Sequence, residues 1–113
     1  MDSTLSLLPH LPGGWEYAAD LKQQALQNEY ETELPQQHSL YGVDVAVIAY
    51  REGNDDILLR HTQAADRVSV VHLTWAKCTE FADFPRVEFT GSSDEFIRWE
   101  FDLYGVGLDD DDK

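Results

Sequence analysis

The sequence is poor in cysteine and in positive charge, and it holds no long apolar run. Its one cysteine, Cys78, can form neither an internal disulfide nor a zinc site by itself. Stability must therefore come from packing, and the lack of disulfides favours a reducing compartment such as the cytoplasm. No stretch approaches the roughly 20 apolar residues of a membrane span. The opening Met1-Asp2-Ser3-Thr4 puts no basic region ahead of an apolar one, so it does not read as a signal peptide. The glycines at 13, 14, 42, 53, 91, 105 and 107 are scattered and build no phosphate-cradling loop. No serine stands in a Gly-x-Ser-x-Gly elbow. These absences remove the common signatures of nucleotide binding and serine hydrolysis.

What is present fits one folded domain. The 113 residues leave little room for a second, and the 42% hydrophobic content with three Trp, five Tyr and five Phe supplies a core. The 22 acidic against 8 basic residues give a net charge of -14, which repels nucleic-acid phosphates and anionic lipid. Asp109 to Lys113 spell Asp-Asp-Asp-Asp-Lys, which is either an enteropeptidase site left by engineering or a natural acidic tail. Without those five residues the charge is -11, so the domain is acidic in both cases.

Punctuation along the chain divides it into three parts. Residues 1–14 read as an arm, with Pro9, Pro12 and Gly13-Gly14 blocking regular structure and Leu5, Leu7, Leu8 and Leu11 free to pack onto the domain. Residues 15–105 read as the domain and 106–113 as a flexible acidic tail. Ala18, Leu21, Ala25 and Leu26 form an apolar stripe that predicts a helix over 15–34, with Lys22, Gln23, Gln27 and Glu31 on its wet side and Pro35 as its stop. Val43 to Tyr50, Asp56 to His61 and Arg67 to Trp75 read as strands, and Arg86 to Phe89 as a short fourth. Ser92 with Glu95 three residues later has capping-box spacing and opens a second helix to about Leu103. The fold expected is α+β: an antiparallel three- to four-stranded sheet with an N-terminal and a C-terminal helix packed on it, both on one face, in two layers.

Three segments carry a resemblance. His38-Ser39-Leu40-Tyr41-Gly42, Asp55-Asp56-Ile57-Leu58-Leu59 and Val71-His72-Leu73-Thr74-Trp75 resemble a group of short bacterial proteins of uncharacterised function. That group reads His-Pro-Leu-x-Gly, Asp-Asp-aliphatic-Leu-Phe and Val-His-Leu-Thr-Trp. This chain has Ser39 in place of the proline and Leu59 in place of the phenylalanine. The match covers about residues 15–101. It implies a bacterial cytosolic origin and no particular reaction.

Candidate site residues follow from chemistry. His72 shares a strand face with Thr74, and an imidazole there can serve as a general base. Asp55 and Asp56 can orient it or hold a cation, although Asn-Asp-Asp is also what a hairpin turn prefers. His38 and His61 have no close metal-ligand spacing with His72, and neither a metal nor a cofactor is expected. Ser39, Ser69 and Ser93 have no activating context, and Cys78 beside Lys77 reads as an incidental loop thiol. Trp75, Phe81, Phe84, Trp99 and Tyr104 are divided between core and an exposed patch, with Phe81 and Phe84 the strongest candidates for exposure and Glu80 and Asp83 as an acidic rim.

These features point first to a non-catalytic protein-binding module of the inhibitor or immunity type, acting on a basic protein partner and not on nucleic acid or membrane. The binding candidates are His38, Trp75, Phe81 and Phe84. The alternatives are a small enzyme using His72 with Asp55 or Asp56, and an acidic mimic of nucleic acid.

Overall fold

A computed structural model describes residues 11–51, 53–80 and 84–104. Residues 1–10 of the arm, Phe81, Asp83 and the tail from 106 lie outside them. The element order is β1 (Trp15–Tyr17), α1 (Asp20–Glu33), β2 (Val45–Arg51), β3 (Asp56–His61), β4 (Val68–His72), β5 (Arg86–Gly91) and α2 (Ser93–Tyr104). The five strands form one antiparallel sheet in the order of the chain.

The start of the domain differs from the sequence reading. Trp15, Glu16 and Tyr17 belong to an edge strand paired with Arg51, Tyr50 and Ala49, not to the helix. Three residues are too few to show an alternating pattern. The chain is turned into this strand by Gly13-Gly14, with Gly14 at φ +92° and the Trp15 amide bonded to the Pro12 carbonyl. Helix α1 then ends as expected: Leu34, held extended at ψ 111°, precedes Pro35.

The buried stripe of α1 also differs. Leu21 is 80% exposed and Ala25 is exposed, while Leu26, Glu29, Tyr30 and Glu33 are buried. Their spacing of three, one and three residues marks a single helix face. Two of the four are glutamates, so counting apolar residues alone selects the wrong face. Gln23 and Gln27 are not on the wet side either. The Gln27 side chain accepts from the Val47 amide (2.9 Å) and donates to the Val45 carbonyl (3.2 Å), and Gln23 donates to the Val47 carbonyl (3.3 Å). Strand β1 covers only Ala49 to Arg51, so these glutamines cover the part of the β2 edge that β1 leaves open.

The helices lie on opposite faces of the sheet, which corrects the expected two-layer arrangement to helix, sheet, helix. Leu26 and Tyr30 of α1 pack with Val47, Ile57, Leu59 and Val71. Phe96 of α2 packs with Trp15, Ala49, Leu58, Val68 and Val70. Ile57 and Leu59 flank Leu58 on one strand, and successive strand residues point to opposite faces. A register shift between Val47 and Ala49 returns Tyr50 to the α1 face beside Ile57, not to the face of Ala46. Of the arm, Leu11 packs against the α2-side cluster.

Helix α2 begins as the sequence predicts. The Glu95 amide donates to Ser92 Oγ (3.1 Å), and the Ser92 amide donates to Glu95 Oε1 (2.9 Å). Its contact with the sheet is made by Phe96, Ile97 and Trp99, with Trp99 stacked on Phe89 at 5.2 Å. Phe101 and Leu103, though apolar, are both 56% exposed and take no part in that contact.

Candidate functional site

Two arrangements gather most of the polar side chains that the sequence singles out. The first begins at the cross-strand pair Asp56 and His72, which the β3–β4 register places opposite each other. His72 Nδ1 lies 2.8 Å from Asp56 Oδ1. The other Asp56 oxygen accepts from Arg51 Nε (3.3 Å). Arg51 then makes a two-pronged contact with Glu100 of α2, one prong being 3.2 Å from Nη1 to Oε1 and the other the Nη2–Oε2 pair. The guanidinium also stacks over the Trp15 ring at 4.6 Å. The chain runs from a half-exposed end to a buried one: the side chains of His72, Asp56, Arg51 and Glu100 are 44%, 8%, 10% and 0% exposed. Asp56 thus orients a half-exposed imidazole. Neither Arg51 nor Glu100 was a sequence candidate.

The second arrangement fixes Trp75. Strand β4 ends at His72, and the Leu73 amide bonds to the Asp55 carbonyl (2.9 Å). Trp75 and Lys77 then adopt φ of +58° and +62°, a left-handed conformation that is costly for bulky side chains. Buried carboxylates of α1 hold it. The Thr74 and Trp75 amides donate to the two oxygens of Glu33 at 3.0 and 2.7 Å, and the Lys77 amide donates to Glu29 (2.9 Å). The Trp75 indole N–H donates to Asp55 Oδ1 (3.0 Å), and the residue is 37% exposed beside a hollow of about 50 Å³ lined by Lys22, Leu26 and Tyr50. Burial, and next a hydrogen bond with Glu29, push the Glu33 carboxyl up to about 7 against the opposing pull of the Thr74 and Trp75 amides. A sequence signal for this pair exists: glutamates in the second half of a helix oppose its dipole and so need another use.

The remaining candidates separate. Asp55 pairs with Trp75, not with His72. His38 is buried; its Nδ1 accepts from the Leu40 amide (3.0 Å), which makes Nε2–H the donor to the Pro85 carbonyl (2.6 Å). This histidine ties the turn before β2 to the segment before β5. His61 is buried against Ser69 Oγ (2.7 Å), which contacts Thr90 Oγ1 (2.8 Å); burial and then Arg67 push its pKa below the ordinary value. Phe84 is 37% exposed, with the Arg86 guanidinium 5.9 Å from its ring centre. Ser93 is buried and bonded to Asp66, and Cys78 is exposed. Among the described residues no three His, Cys, Asp or Glu side chains converge on a point that could hold a metal ion, and no helix is long and apolar enough to cross a membrane.

No family model, curated protein or solved structure matches the chain. The site must therefore be read from its own geometry.

A third feature was not anticipated from the sequence. A cleft of about 320 Å³ opens beside the start of β2, lined by Gln27, Tyr30, Glu31, Tyr41, Asp44 and Val45 among others. The Tyr30 hydroxyl is buried and makes no hydrogen bond among the described residues, a deficit of about 1–3 kcal/mol when nothing satisfies it. Burial, and then the charge of Glu31, hold this phenol in its protonated form.

Proposed function

We propose that this domain is a non-catalytic binding module of the inhibitor or immunity type, engaging a basic protein through the Trp75 loop. The observation that carries the reading is the fixed, half-exposed tryptophan. Its backbone is held at φ +58° by Glu33, and its indole by Asp55. An aromatic ring already locked in place loses little freedom on association, which is how a single anchor comes to dominate an interface. The net charge of -14 supplies long-range attraction for a basic partner. The test is capture of a basic protein at low salt, followed by titration of that protein with wild type and with Trp75→Ala. A hot-spot role predicts a loss of at least about 2 kcal/mol, or roughly thirtyfold in Kd. Unchanged affinity for the variant, or no basic protein retained, would overturn it.

A second reading is favoured by one observation. His72 and Asp56 stand 2.8 Å apart with the imidazole open to solvent, the arrangement of an oriented general base. It predicts hydrolysis of an activated ester or phosphodiester that falls about 100-fold or more in His72→Ala. Equal turnover by the variant and wild type would remove it.

A further inference from the structure

We infer that the cleft beside the start of β2 is a seat for one long basic side chain, lysine or arginine, presented by a protein partner. The inference rests on the binding-module reading for the character of that partner and adds the place where one of its cations docks. The wall chemistry selects the occupant. The exposed Tyr41 ring, with Leu34 and Val43, offers apolar surface to a methylene stem and a π-face to its charged head. Glu31 and Asp44 add two carboxylates, and no lysine, arginine or histidine is among the described residues lining the cleft.

The carboxylates are unevenly committed. Gln27, anchored to Val45 and Val47, donates to one oxygen of Glu31 (2.9 Å) and so sets its orientation, while no described residue bonds the other oxygen. Asp44 uses its backbone carbonyl for the Thr62 amide (3.0 Å) and the Thr62 hydroxyl (3.2 Å), and its carboxylate has no partner among the described residues. A neutral or anionic ligand would leave the two carboxylates unanswered. A second copy of this chain, itself at -14, would approach against repulsion.

The test uses single side chains, so it needs no identified partner. The ¹⁵N-labelled protein is titrated with N-acetyl-arginine amide and N-acetyl-lysine amide, with N-acetyl-norleucine amide as the uncharged control. Saturable amide shifts confined to residues 27–34 and 41–45 are expected, with norleucine about fivefold weaker or worse. The double variant Glu31→Gln/Asp44→Asn is expected to weaken the cationic amides about tenfold, and Tyr41→Ala, at an exposed position, to weaken them with the fold kept. Equal shifts from norleucine, shifts centred elsewhere, insensitivity to these substitutions, or tighter binding of free spermidine would each overturn the inference. Trp75→Ala should leave the titration unchanged. A cleft that binds the cationic amides while Trp75→Ala leaves partner affinity intact would therefore refute only the Trp75 reading, and the reverse outcome would refute only this one.

Discussion

Replacing Arg51 with methionine tests the buried charge chain most directly. Methionine keeps much of the stem and its contact with Trp15, so the main loss is the charge. Glu100, fully buried, then loses both of its bonds to Arg51, and Asp56 keeps only its contact with His72. Breaking a buried ion pair from one side costs about 3–5 kcal/mol. An ordinary domain has about 5–15 kcal/mol in total, so the variant loses a large part of its stability. At about 4 °C per kcal/mol for a chain of this size, Tm should fall by about 12–20 °C. Urea unfolding followed by tryptophan fluorescence measures the loss, and an unchanged slope shows that the unfolded state is not responsible. The companion Arg51→Met/Glu100→Met removes both charges and should recover much of the stability, because well-packed apolar groups often replace a buried pair without penalty. A single-variant loss below about 1 kcal/mol would refute the reasoning, since it would mean that Glu100 is not left stranded.

Two other predictions concern α1. Glu33 has a folded pKa of about 7 against an ordinary value of 4.5, so the folded state holds its proton more tightly than the unfolded chain does. Its contribution is fully present below about pH 4.5 and is lost as pH rises through 7, so wild-type stability should fall across that window from this group. Urea midpoints at several pH values should show the fall flattened in Glu33→Gln, and an identical slope in both proteins would contradict the assignment. Gln27→Ala removes two of the three side-chain bonds that cover the β2 edge, at about 1–3 kcal/mol for the pair. It should also raise the average mass seen by light scattering as edges pair between molecules; unchanged mass and stability would count against an edge-covering role.

Much of this fold is legible in the sequence, because its signals are local. Pro35 stops a helix through the geometry of the residue before it, and Ser92 with Glu95 opens one through reciprocal bonds that both form. The side on which each helix packs is also legible. Ile57-Leu58-Leu59 and Val70-Val71 show no alternation, and a strand apolar on both faces requires cover on both. The meander suggested one covered face, and the uninterrupted apolar runs outweigh it. The candidate site was half legible. Asp56 and His72 are sixteen residues apart and meet because the hairpin register brings the two strand ends together. The assignment of Asp56 and not Asp55 depends on that register by a single residue. Glu33 meets Trp75 across 42 positions, and Arg51 meets Glu100 across 49. The sequence marks Glu33 as a glutamate in need of a use but names no partner for either pair, since each depends on where a helix settles against the sheet.

The central place of β3 and β4 has a consequence for how the protein opens. Each is hydrogen-bonded on both edges and covered on both faces, with Leu58, Leu59, Val68, Val70 and Val71 all fully buried. Strands β1 and β5 have one sheet neighbour each. Amide exchange should therefore be slowest in β3 and β4, where opening requires both helices to lift together. The Trp75 loop grows directly from the end of β4 but is held by carboxylates of α1. Lifting that one helix would free the backbone of the loop, leaving the tryptophan tied by its indole to Asp55, while the α2 side of the sheet stayed closed.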